Sequence, residues 1–211
     1  LEHFAVAVSA VTGVLGARGK RLDLFGVMVL ALVTAVGGGT LRDLCLGVTP
    51  VFWIESPAYL TTALVAAVVS FVAVRLRELP LAWLLVADAF GLALFTIIGT
   101  EKAVSHGAAP SACLVLGVMT GVAGGILRDV LRGEIPLVFR SEIYLYATAA
   151  FVGALAYLIL RRWTPGSPVN RELAMALILA LRLAAIQWRL RLPEYKESGE
   201  RHGGPDMRSA H

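Results

Sequence analysis

The chain has 211 residues, 57% of them hydrophobic and only 16% charged, with a mean hydropathy of +0.75 and a formal net charge of +4. A soluble domain carries about 25% charged residues, so lipid rather than water is the expected solvent, and the polar residues fall in short strips between apolar runs of membrane-spanning length. The basic balance does not point to nucleic acid: Lys and Arg sit in loops and the C-terminal tail with little aromatic interleaving, as topology and anionic headgroups require.

Seven apolar spans are predicted, at about 4–17, 25–46, 57–74, 81–100, 110–131, 143–160 and 172–188. The first is short for a bilayer that needs roughly 20 residues. It has no basic segment before it and is followed by Arg18, Lys20 and Arg21, so it reads as a retained helix and not a signal peptide. The second span carries Gly37-Gly38-Gly39-Thr40-Leu41-Arg42-Asp43 near its end, with Pro50 beyond. The fourth contains Asp88 and closes on Glu101 and Lys102, read as an interfacial pair. The fifth carries Gly121, Gly124-Gly125-Ile126-Leu127-Arg128-Asp129 and then Pro136, and the seventh contains Arg182. The residues beyond Pro193 read as a flexible tail.

With seven crossings, alternate loops face opposite sides. One side holds ten basic residues, Arg18, Lys20, Arg21, Arg75, Arg77, Arg132, Arg140, Arg189, Arg191 and Lys196, and the other holds four, Lys102, Arg161, Arg162 and Arg171. The positive-inside rule then puts the N-terminus outside and the C-terminus in the cytoplasm of a cell (inner) membrane.

Sliding the sequence by 86 residues aligns Thr34 with Thr120, Gly38 with Gly124, Gly39 with Gly125, Arg42 with Arg128, Asp43 with Asp129, Gly47 with Gly133 and Pro50 with Pro136. Each copy holds three crossings, an odd number, so the second copy should be inverted and the seventh helix left over. The expected fold is therefore an all-α polytopic membrane protein: repeats over 1–78 and 79–162, a seventh helix over 163–190 and a cytoplasmic tail over 191–211.

Gly37, Gly38, Gly39, Gly121, Gly124 and Gly125 each lower helix stability by roughly 1 kcal/mol relative to Ala, which suits kinks or unwinding in the second and fifth helices. Close packing of small residues is the plainer reading. Charges beside the glycines need water or partners. Adjacent residues point in different directions on a helix, so Arg42 is expected to reach Asp129, and Arg128 to reach Asp43, across the repeat axis. The alternative is that both pairs snorkel to the interface. Asp88 reads either as a cation-attracting group facing water or as a structural partner for an arginine such as Arg182.

The residues Asp23-Leu24-Phe25-Gly26, GGGTLRD, Pro50-Val51-Phe52-Trp53, Asp88-Ala89-Phe90-Gly91 through Phe95, GGILRD and Gly133-Glu134-Ile135-Pro136 resemble the prokaryotic branch of the TRIC (trimeric intracellular cation channel) family, whose bacterial members often carry a glycine-transporter-like label. The resemblance extends to about Pro193. It implies seven helices, a homotrimer in membrane lipid, and a pore within each protomer around the kinked second and fifth helices, conducting monovalent cations, chiefly potassium. By position, Gly37, Gly38, Gly39, Gly124 and Gly125 become kink residues, and Arg42, Asp43, Arg128 and Asp129 become pore or gate groups. Phe95 matches a possible gate aromatic that the family tends to have in both halves, yet its mate here is Ser9.

A transporter of glycine or a similar small zwitterion would use the same architecture, with Arg binding the carboxylate and Asp the ammonium. No enzyme is expected: the histidines His3, His106, His202 and His211 are scattered, and hydrolase, zinc and phosphate-loop motifs are missing. No cofactor and no bound metal beyond transient monovalent ions is implied. Cys45 and Cys113 read as small apolar residues and not as a disulfide.

Overall fold

In a computed structural model, which describes residues 1–76, 80, 82–140 and 145–188, the chain is helical throughout its regular structure. Seven long helices occur among the described residues: α1 (Glu2–Gly16), α2 (Leu24–Cys45), α4 (Ala58–Leu76), α5 (Ala82–Ser105), α6 (Pro110–Leu131), α7 (Tyr146–Trp163) and α8 (Val169–Trp188), with a one-turn helix α3 (Phe52–Glu55) after α2. A short 3-10 turn, Leu137–Phe139, follows α6 in the corresponding place. Four of the long helices, α2, α4, α5 and α6, are both long and apolar enough to cross a membrane. The tail assigned to 191–211 and the basic residues Arg77, Arg189, Arg191 and Lys196 lie outside the described residues.

The helices differ sharply in what covers them. Buried residues occur on α5 from Leu84 to Ala103, because it packs against α1, α6, α7 and α8. By contrast α4 buries only Ala63 and Ala67 and leaves Val65, Val68, Val69 and Val72 exposed. An apolar exposed stripe of that kind suits lipid as solvent.

Local signals account for the helix ends. The Asp23 carboxylate accepts the Gly26 backbone N–H at 2.7 Å and so caps α2. Gly47 and Gly133 take φ of +68° and +69° and terminate α2 and α6 alike. The Val48 and Glu134 backbone N–H groups then reach back to the Asp43 and Asp129 carbonyls at 2.9 and 3.0 Å, the Schellman arrangement.

Neither α2 nor α6 is interrupted at its glycines; each continues as α-helix to Cys45 or Leu131. What the glycines permit here is close approach. A Cβ on Gly124 would lie 2.5 Å from the Thr34 carbonyl oxygen, and one on Gly38 closer still to the Thr120 carbonyl oxygen. The contact is reciprocal, since Thr34 and Gly38 stand 86 residues before Thr120 and Gly124. Gly37 and Gly39 face side chains instead, Leu127 and the Phe52 ring, with hypothetical Cβ distances of 2.5 and 2.6 Å.

Candidate functional site

At the α2–α6 crossing lies a cavity of about 20 Å³, room for about one water. Its walls come from α1, α2, α5 and α6, and four pairs of its lining residues are separated by 86 positions: Ser9 and Phe95, Thr34 and Thr120, Ala35 and Gly121, Gly38 and Gly124. Asp88 is the one charged side chain among the lining residues.

The hydroxyls around this cavity are oriented by the helices that carry them. Thr34 Oγ1 donates to the Leu30 carbonyl at 2.6 Å, Thr120 Oγ1 to the Leu116 carbonyl at 2.5 Å, and Thr12 Oγ1 to the Ser9 carbonyl at 2.8 Å. A hydroxyl whose proton is committed in this way has only lone pairs left to offer. Thr12, Thr34 and Thr120 therefore present oxygen acceptors, which together with the Asp88 carboxylate favour a small cation over an anion.

The two Arg-Asp pairs lie outside the cavity lining, and they do not pair across the repeat. Arg42 Nε donates to Asp43 Oδ1 at 2.8 Å, and Arg128 Nε donates to Asp129 Oδ1 at 2.8 Å. Both expectations, that neighbours cannot satisfy one another and that the arginines cross over, are corrected. The Arg side chain is long enough to fold back onto the next carboxylate at a helix end. Each aspartate also fastens its helix to the loop beyond: Asp43 Oδ2 accepts the Phe52 N–H at 3.0 Å, and Asp129 Oδ2 accepts the Leu137 N–H at 2.9 Å. Snorkelling is also excluded, because Arg42 and Arg128 are only 2% and 0% exposed.

Each aspartate has a second cation, and here the halves differ. Lys102 Nζ reaches Asp43 at 2.8 Å, while Glu101 accepts the Tyr157 hydroxyl at 3.2 Å and lies 4.0 Å from Arg171. Asp129 is shared with Arg132, 3.2 Å away. Arg128 Nη1 in turn donates to Asp88 Oδ1 at 2.8 Å, so Arg128 is the hydrogen-bonded partner of Asp88. The Arg182 guanidinium lies 4.6 Å over the Tyr146 ring, and both the Tyr146 hydroxyl and Asp88 Oδ1 line the space beside Gly125.

At the surface, Glu134 collects Arg132 at 3.1 Å, Lys20 at 3.0 Å and Arg140 at 2.7 Å. The hydrogen bonds from Arg140 and Lys20 hold its pKa down to about 2, against the usual 4.5.

Of the predicted site residues, Asp88, Phe95, Gly38, Gly121, Gly124 and Gly125 meet at the cavity, whereas Gly37, Gly39, Arg42, Asp43, Arg128 and Asp129 lie outside its lining. Sequence reasoning passed over Thr12, Thr34 and Thr120 as lining groups, although the repeat alignment already paired Thr34 with Thr120. Cys45 and Cys113 are free thiols.

A family model described as a glycine transporter matches residues 1–75 and 85–162. The inner membrane protein YadS (UPF0126) of Escherichia coli K12 is 46% identical over 198 residues, covering 92% of this chain and 94% of its own. The UPF0126 membrane protein YvgT of Bacillus subtilis is 34% identical over 194 residues, covering 92% of this chain and 94% of its own. Among solved structures, the TRIC trimeric intracellular cation channel orthologue from Rhodobacter sphaeroides matches with a TM-score of 0.84 and 41% identity, over 90% of this chain and 96% of that one. A prokaryotic TRIC channel matches with a TM-score of 0.82 and 28% identity, over 90% of this chain and 96% of that one. The two curated relatives are membrane proteins, and the two solved structures are TRIC channels.

Proposed function

The chain belongs to the TRIC family of cation channels, and from that premise we propose that it conducts monovalent cations, potassium in particular, through a pore inside each protomer at the α2–α6 crossing. The observation that carries this reading is the cavity whose lining residues fall in pairs 86 positions apart. Two three-helix repeats, 1–78 and 79–162, inverted about an axis through that cavity, would give such a lining. The helix Val169–Trp188, in the part assigned to 163–190, is then an addition to the two repeats, and 191–211 lies outside the described residues. Gly37, Gly38, Gly39, Gly121, Gly124 and Gly125 leave the crossing free of bulk, and a bend of α2 and α6 there widens the narrow cavity for passage. Phe95 is the gate aromatic of this reading, and its repeat mate in the lining is the small Ser9. Arg42, Asp43, Arg128 and Asp129 hold the helix ends on either side of the path.

The protein works as a homotrimer in the inner membrane, N-terminus outside, by analogy with trimeric relatives and from the excess of basic loop residues on one side. Transport of glycine fits less well. Asp88 and Arg128, the pair that would take the ammonium and carboxylate of a zwitterion, are bonded to each other at 2.8 Å. Reconstitution of the purified protein into bilayers tests the choice, with potassium current and radiolabelled glycine uptake measured in parallel. The expected result is current without saturable uptake; uptake without current would reverse the reading.

A further inference from the structure

The ion pairs around Arg128 form one continuous chain of alternating charge. Asp88, Arg128, Asp129, Arg132 and Glu134 are joined in turn by contacts of 2.8, 2.8, 3.2 and 3.1 Å, and Glu134 ends the chain at the surface between Lys20 and Arg140. The inner end reaches the cavity. Asp88 is 5% exposed, and its Oδ1 is taken by Arg128. Its Oδ2 has no hydrogen-bond partner among the described residues. A buried carboxylate with one free oxygen beside a cavity attracts a cation. Arg128, wholly buried and held from behind by Asp129, attracts the same carboxylate.

Among the described residues the first half of the chain shows no counterpart. Arg42 bonds Asp43, which also holds Lys102, while Glu2, the repeat mate of Asp88, accepts the Tyr59 hydroxyl. The cavity therefore draws its charge from one half alone. From this geometry, and resting on the channel reading above, we infer that Asp88 is the group that selects cations in the cavity, and that Arg128 is a tethered counter-ion competing with the permeating cation for it. Asp129 and Arg132 set the strength of that competition. Asp129 draws Arg128 away from Asp88, and Arg132 competes with Arg128 for Asp129 Oδ1. Loss of the Arg132 charge leaves Asp129 to Arg128, loosens Arg128 from Asp88 and strengthens the cavity for a cation.

The sign of that effect makes the inference testable in the full chain, reconstituted in planar bilayers under a potassium chloride gradient. The wild-type reversal potential is expected to lie short of the potassium equilibrium value; Asp88→Asn is expected to shift it further toward zero, with the potassium-to-chloride permeability ratio falling about tenfold, and Asp88→Glu to restore it. Arg132→Gln, outside the cavity lining, is expected to move the opposite way, with conductance saturating at lower potassium concentration. Asp88→Asn channels with the wild-type reversal potential would overturn the inference, as would Arg132→Gln shifting in the same direction as Asp88→Asn. If Asp88→Asn does not yield folded protein, the direction of the Arg132→Gln shift decides. Wild-type protein that passes no potassium current would instead remove the channel reading itself, which separates the two failures.

Discussion

A methyl group is too large for Gly38, because it would press on the Thr120 carbonyl oxygen, a backbone atom that cannot swing aside. Gly47 is the contrasting case: it lies at φ +68° with nothing within 4 Å of an added Cβ. Gly38→Ala should therefore incur overpacking of about 1–3 kcal/mol and disturb the cavity, whereas Gly47→Ala should cost about 1–2 kcal/mol of left-handed strain and leave conduction alone. Thermal unfolding in detergent, paired with bilayer currents, separates the two. Glu134 carries a second prediction at this scale. Its pKa is lowered from 4.5 to about 2 by Arg140 and Lys20, so its stabilising contribution is complete above about pH 4.5 and is lost as pH falls through about 2. Glu134→Gln should flatten that acid limb of the stability profile, and a limb unchanged by the substitution would count against the surface cluster.

The helices show which parts of this molecule are readable without coordinates. Apolar runs long enough for a bilayer announce α2, α4, α5 and α6, since lipid leaves the backbone few alternatives to helix. The one-turn α3 does not announce itself, for Phe52–Glu55 is too short to show a period. It is held by Asp43 taking the Phe52 N–H, a contact between residues nine apart that no local propensity encodes. The Arg-Asp pairing was missed for a related reason. Helical direction separates neighbouring Cβ atoms, but a long Arg side chain reaches its neighbour's carboxylate once the helix has nearly ended. Repeat alignment came closest to the site, because Thr34 and Thr120 share a role that neither shows alone. Replacing both by Val keeps shape while removing the acceptor oxygens; the expected outcome is a reduced single-channel conductance with a melting temperature little changed. Unaltered conductance would mean that the permeating ion does not meet these hydroxyls.

At the scale of the whole molecule, the account has a buried post, α5, with the α2–α6 crossing beside it and a lipid-facing α4 outside. Among the described residues Arg42, Asp43, Arg128 and Asp129 are all ion-paired, and the one charged side chain in the cavity lining, Asp88, is acidic. That distribution supports the proposed cation path over a zwitterion pocket, and the proposal puts the path within one protomer. The most direct test uses silver, a monovalent cation that binds thiolates, on a chain whose native Cys45 and Cys113 are replaced and which carries Thr120→Cys. Silver applied during recording is predicted to block the potassium current of Thr120→Cys irreversibly while sparing the cysteine-free parent, with high potassium slowing the block. Thr120→Cys channels that conduct potassium unaffected by silver would contradict a pore at the α2–α6 crossing.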